Sequence, residues 1–274
     1  MVTSGSGGVG KTSFCANLAL SLARLGKRTL LCDFDVSGRA LEMLLGCDTR
    51  VIRDIADIAR GRATPEDTLL SLPLHENLFF VAAPSDGANL FPGARDLDAA
   101  LGACAEAFAL DIILMDFSNI DTVPVKIVAP ICDRAIVITR QSLISARAAE
   151  AAGYMLAERG VKDIRLVLNR FSLESRGDAY PSAIDLVDCS RIQLLGIIPD
   201  AASIARLEET GSLACESREL RQVKAAYKNI AERIDGKNVP LLTDMGVFGR
   251  NKYLLGLHQE QRLKRNEERN RKWI

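Results

Sequence analysis

The chain has 274 residues, 48% of them hydrophobic and 26% charged, with 35 Lys/Arg against 35 Asp/Glu. This length accommodates one large α/β domain or two small ones, and no apolar run reaches the ~18 to 20 residues that a membrane-spanning helix needs. Net neutrality hides an asymmetry: from Arg250 to Ile274 eight Lys/Arg face three Glu, so the remaining body is slightly acidic, which argues against a generally DNA-coating surface and invites an anionic partner for the tail.

The first element is a strand remnant, Met1 to Ser4, which runs directly into SGSGGVGKTS, residues 4 to 13. A phosphate-binding loop leaves the carboxyl end of a central strand. Only four residues are available for that strand, so it is expected to be truncated. Losing half of a buried central strand would expose ladder groups and core surface, so a natural start upstream of Met1 is the expected cause.

Gly5-x-x-x-x-Gly10-Lys11-Thr12 matches the Walker A pattern in full and opens an amphipathic helix, with Phe14, Leu18, Leu22 and Leu25 at helical spacing. In such a loop glycines turn backbone N–H groups onto phosphate oxygens, and the helix N-terminus adds its positive dipole end. Lysine then neutralises β/γ charge and the threonine hydroxyl ligates Mg²⁺. Gly5, Ser6, Gly7, Gly8, Val9, Gly10, Lys11, Thr12 and Ser13 are therefore the expected nucleotide-binding residues.

Further along, apolar runs bounded by polar turns predict strands at Thr29–Asp33, Leu78–Ala82, Ile112–Asp116, Ala135–Thr139, Arg165–Asn169 and Leu194–Ile198, with helical patterns between them. Runs this continuous imply an α/β fold: a mostly parallel twisted sheet with helices on both faces. One domain is expected over 1–236, followed by a basic tail over 237–274. Seven dispersed cysteines without a CxxC pair read as buried apolar residues of a reducing compartment. No signal or transit segment is visible, so a cytoplasmic location is expected.

Asp33 and Asp35 end the second strand and Asp116 ends DIILMD, so all three can approach the loop's edge of the sheet. Carboxylates there serve Mg²⁺ or an attacking water, although an aspartate after a strand also serves as a helix N-cap.

With these residues in place the chain resembles the MinD branch of the MinD/ParA group of P-loop ATPases over roughly residues 1 to 236. The likeness runs through TSGSGGVGKTS, LLCDFDVSGRALEMLLG, DIILMDFSNID, LVLNRF, SRGDAYPSAIDLV and LLGIIPD. The resemblance implies a P-loop NTPase fold and an ATPase that dimerises around two ATP molecules, with Mg²⁺ as the metal. It implies membrane contact through a C-terminal amphipathic segment, at the inner face of the cell membrane, and release by a protein partner of the division or polar-localisation machinery. On the matching motifs, Lys11 and Asp35 would be catalytic, Asp35 orienting the water. Thr12, Asp33 and Asp116 would serve the metal, and Asn169, Arg170, Pro199 and Asp200 would line the adenine.

Three positions depart from the family pattern. Ser6 stands where the family carries a lysine that reaches into the partner's site, Ile120 stands where switch II has a glycine, and Ala40 replaces an asparagine. Losing a cation that acts in the transition state costs more rate than binding, so hydrolysis is expected to be weak or absent while ATP binding persists. The alternatives are a non-catalytic scaffold similar to the TadZ/CpaE proteins of pilus localisation, and ParA-like DNA segregation. Within the tail, VFGRNKYLLGL separates apolar from cationic residues in the manner of a membrane-surface helix; a solvated or disordered basic arm, or a nucleic-acid contact, is the competing reading.

Overall fold

The computed structural model of the chain describes residues 1–36, 38–84, 92–172 and 180–241. In chain order it contains β1 (Val2–Thr3), α1 (Lys11–Arg24), β2 (Thr29–Asp33), α2 (Ala40–Leu44), α3 (Ile55–Ala59), α4 (Pro65–Thr68), β3 (Leu70–Ser71), β4 (Leu78–Val81), α5 (Ala94–Phe108), β5 (Ile112–Asp116), α6 (Val123–Val128), β6 (Arg134–Thr139), α7 (Leu143–Glu158), β7 (Asp163–Phe171), α8 (Ala183–Ser190), β8 (Gln193–Pro199), α9 (Ser203–Glu209) and α10 (Arg221–Ile234).

The strands form one eight-stranded sheet in the order β3-β4-β2-β5-β1-β6-β7-β8. All pairs are parallel except β3 with β4, where Leu70 faces Phe80. This is the expected mostly parallel sheet with helices on both faces, plus one short antiparallel edge that two residues without alternation could not announce.

Period-two alternation sends neighbouring residues of each strand into two cores. Leu30, Cys32, Val81, Met115, Val137 and Leu168 face the helices α5, α7 and α8. Leu31, Phe80, Leu114, Ile136, Ile138 and Val167 join Phe14, Leu18 and Leu22 of α1 and Val223, Tyr227 and Ile230 of α10. Each large side chain buried this way contributes about 1.5–3 kcal/mol. Gly196 lets α10 approach β8, because a Cβ there would lie 2.2 Å from Ile230 Cγ1.

The central strand is indeed short. β1 meets β5 only at Val2–Asp116 and meets β6 at Val2–Ile136 and Thr3–Val137. The amine of Met1 donates to the Arg134 carbonyl at 2.8 Å and its carbonyl accepts from Ile136 N at 2.8 Å. Between the amino-terminal ends of β5 and β6 lies a cavity of about 500 Å³, lined among others by Met1, Leu101, Ile113, Leu114, Arg134 and Ile136.

At the other end of the chain, Val239 and Pro240 offer carbonyls to Arg233 and Asn229 at 2.5 and 3.1 Å, and Leu241 is buried. The first residues assigned to the tail therefore dock on α10. The amphipathic segment 247–257 and the rest of the tail lie outside the described residues. No helix among the described residues is long and apolar enough to cross a membrane.

The cavity beside Met1 has the place and lining for more strand. Three or four β-branched residues fused ahead of Met1 should pair with β5 and β6 and raise Tm, at roughly 2–4 °C per kcal/mol gained for a chain of this size. A thermal melt with an unchanged Tm would show that the gap does not accept a strand.

Candidate functional site

The loop Ser4–Ser13 leaves the carboxyl end of β1, where the sheet order reverses, and its shape follows from close approaches that only glycine permits. A Cβ on Gly5 would lie 2.0 Å from the Ala148 carbonyl oxygen of α7, so loop and helix backbones touch. Gly8 and Gly10 adopt φ values of 65° and 86°, the left-handed region that glycine enters without steric cost. Gly10 is also the N-cap of α1 and makes no side-chain cap. The first-turn amides of a 14-residue helix therefore open toward the loop, an arrangement suited to anionic oxygens.

Four hydrogen bonds hold the loop in place. Asn169 Nδ2, at the end of β7, donates to the Val9 carbonyl at 2.8 Å. Lys11 Nζ donates to Ser4 Oγ at 3.1 Å, and Ser4 Oγ donates to the Ser6 carbonyl at 2.6 Å. Ser6 Oγ lies 3.2 Å from Ser145 Oγ of α7.

Carboxylates gather beside Lys11. The register of β2 and β5 sets Asp33 directly opposite Asp116, on strands about 4.8 Å apart, and both are buried. Burial and the charge of Asp116 push the Asp33 carboxyl up to about 8. Burial also raises Asp116, to about 6, against the opposing hydrogen bonds of Thr12 and Cys15 and the charge of Lys11. Lys11 is itself lowered by burial, with Asp116 and Asp35 pulling the other way. Asp35 is half-buried; its amide donates to Asp33 Oδ1 at 2.8 Å, and its Oδ1 accepts from Gly38 N at 3.3 Å.

One oxygen of this set, Asp116 Oδ2, is buried with no hydrogen-bond partner. A hard cation satisfies such an atom, and the neighbouring donors, a Thr12 hydroxyl and carboxylates, are the oxygen ligands that Mg²⁺ takes. The residues present therefore fit Mg²⁺. Among the described residues no group of three or more His, Cys, Asp or Glu forms a cage, so a cation in this place would share its shell with a ligand's own oxygens, as Mg²⁺ does with phosphates.

The sequence and the fold are shared with known proteins. The family model described as the CobQ/CobB/MinD/ParA nucleotide binding domain matches residues 1–214. The chain belongs to this family. It is 31% identical over 258 residues to the septum site-determining protein MinD of Escherichia coli (strain K12), covering 88% of this chain and 92% of the relative. Against MinD of Bacillus subtilis (strain 168) it is 31% identical over 248 residues, covering 88% and 90%. The MinC:MinD cell division protein complex of Aquifex aeolicus superposes with a TM-score of 0.80 at 27% identity, over 88% of this chain and 96% of that one. Within the MinD/ParA group the chain is thus MinD-like, with Ser6 at the position of the signature lysine.

The other expected site residues of this MinD/ParA-family domain sort into two groups. Arg170, Pro199 and Asp200 lie at the carboxyl ends of β7 and β8, with Phe171 paired to Pro199 and Asp200 N bonded to the Phe171 carbonyl at 3.0 Å. They form one rim at this edge of the sheet, and Arg170 Nε lies 4.0 Å from where a Cβ on Gly10 would stand. Asn169, by contrast, is buried and its amide is engaged beneath Val9, and the Ser13 hydroxyl bonds Tyr227 of α10, so both brace the loop from the protein side. Ile120 is a core residue at ordinary negative φ whose amide donates to the Ser4 carbonyl at 3.1 Å. Its backbone needs no glycine, and that N–H is spent on the loop.

Sequence reasoning missed Ser4, Cys15, Thr139 and Ser145. Cys15 donates to Asp116 Oδ1 at 3.4 Å; its place one helical turn after Thr12 was the available signal. Ser145 lies 139 residues from Ser6, with Thr139 close before it, and neither carried a local signal.

The carboxylate pair makes apo stability depend on pH. A folded pKa above the ordinary 3.8 means the folded chain keeps protons that the unfolded chain releases. The stability tied to them is full below about pH 4 and lost as pH rises through about 6 to 8. Asp33→Asn, which preserves the acceptor for Asp35 N, should therefore raise the Tm of nucleotide-free, metal-free protein more at about pH 8.5 than at about pH 5. Equal shifts at both values would contradict the pairing.

Proposed function

We propose that this chain is a MinD-like nucleotide switch that binds ATP with Mg²⁺ in the loop, dimerises in the ATP-bound state and hydrolyses weakly or not at all. The observation that carries it is the uncapped α1 N-terminus behind Gly8 and Gly10, set against Lys11 and the Asp33–Asp116 pair. In this reading the loop amides and Lys11 grip the phosphates, Thr12 and Asp116 hold Mg²⁺ with Asp33 in support, and Asp35 orients a water. Mg²⁺, when bound, neutralises charge on the phosphates. Arg170, Pro199 and Asp200 form the rim for the base.

The relatives named as septum site-determining proteins, together with the MinC:MinD complex among the structural neighbours, support a role in placing cell-division machinery through a protein partner. Weak turnover follows from Ser6. Its side chain is short, uncharged and bonded within its own subunit, whereas a cation supplied to a phosphoryl-transfer transition state is worth about 10³ to 10⁵ in rate, on the analogy of arginine fingers.

Nucleotide affinity and single-turnover hydrolysis measured side by side test both halves. The wild-type chain should bind ATP with Mg²⁺, Lys11→Ala should lose at least about tenfold in affinity, and hydrolysis should stay near background until Ser6→Lys raises it. Turnover by the unmodified chain equal to that of Ser6→Lys would overturn the weak-hydrolysis reading.

A further inference from the structure

Two hydrogen-bond relays converge on Ser6, one ending on its hydroxyl and the other on its carbonyl. A serine hydroxyl has one hydrogen to give and two lone pairs to receive. Ser145 Oγ accepts from Thr139 Oγ1 at 2.8 Å and from the Arg140 amide at 3.3 Å. Both of its lone pairs are then used, and its own hydrogen is left for Ser6 Oγ at 3.2 Å. Ser6 Oγ is thereby the acceptor of that contact, with its own hydrogen directed elsewhere. From the other side, the Ser6 carbonyl is pinned by Ser4 Oγ, which itself accepts from Lys11 Nζ.

The frame behind the relay is rigid. Ser145 is buried in the first turn of α7, whose N-cap Ser142 bonds its amide. Three residues on, the Ala148 carbonyl is the atom against which Gly5 packs. Ser6 is half-buried and followed by the exposed Gly7 and Gly8, so its hydroxyl has access to the open side of the loop.

We infer that Ser145, oriented by Thr139, is a positioning residue that fixes the Ser6 hydroxyl as a hydrogen-bond donor to the phosphate chain of the bound nucleotide, within one subunit. This rests on reading the loop as an ATP site. The position thus does more than lack a cation: it supplies a neutral donor in cis that strengthens ground-state binding. A donor to a charged oxygen is worth about tenfold or more in affinity.

The test is a titration of the full chain with ATP in the presence of Mg²⁺. Ser6→Ala, which removes the donor, should weaken ATP by about tenfold; Ser145→Ala, which leaves the donor but no longer fixes it, should weaken ATP severalfold, and the double variant should be no weaker than Ser6→Ala alone, because Ser145 acts only through that hydroxyl. Ser145→Thr, which keeps the hydroxyl, should restore affinity. Thr139→Val, nearly isosteric, frees a lone pair on Ser145 for Ser6 to donate into, and should weaken ATP severalfold even if Ser145→Ala fails to fold. A merely structural Ser145 would lower Tm without this coupling. Unchanged ATP affinity in Ser145→Ala and Thr139→Val, or losses that add in the double variant, would overturn the inference. Absence of ATP binding by the wild-type chain would instead defeat the reading of the loop as a nucleotide site.

Discussion

At the carboxyl edge of the sheet one ammonium group, Lys11, faces the carboxyls of Asp116 and Asp35, and Asp33 lies opposite Asp116 on the neighbouring strand. Two of these carboxyls are buried on adjacent strands and held up to about 8 and about 6. Such a pair is costly to ionise together, because burial penalises each charge and each charge penalises the other. The chain meets that cost by partial protonation, by the Thr12 and Cys15 donors to Asp116 and by Lys11 itself. A divalent cation arriving with an anionic ligand offsets it further. Strain of this kind is characteristic of binding sites, where apo stability is traded for affinity.

The parts that set up this imbalance lie far apart in sequence and are joined by backbone. The Asp33–Asp116 register comes from the β2–β5 pairing, and the loop that carries Lys11 is tied to its surroundings at several points. Gly5 is packed on α7, Val9 is held by Asn169, Ser4 accepts the Ile120 amide through its carbonyl, and Ser13 bonds α10. Contacts from across the fold therefore fix the loop before any ligand arrives. Preorganisation of this kind lowers the entropy that binding must otherwise overcome.

Much of the architecture was legible in sequence because buried parallel strands announce themselves: Thr29–Asp33 and Ile112–Asp116 have the bounds that their apolar runs suggested. The phosphate loop was legible for a similar reason, since its glycines and Lys11 act locally. Contacts made across the sheet were not. Nothing around Thr139 or Ser145 points to Ser6, and the engagement of Asn169 with Val9 depends on where β7 ends relative to the loop. Ile120 illustrates the converse. In sequence it stood out as a departure from a family glycine, whereas in the fold it is a core side chain with unexceptional φ. The two-residue β3 is too short to carry a period.

The most direct measurement is proton release on binding. Calorimetric titration with ATP and Mg²⁺ at about pH 7.5, repeated in buffers of different ionisation enthalpy, counts the protons exchanged. If the buried pair receives the cation, its shared proton leaves on binding, and release should be seen for the wild-type chain and be reduced in Asp33→Asn. Binding with the same proton count in both proteins would contradict a central role for the Asp33–Asp116 pair.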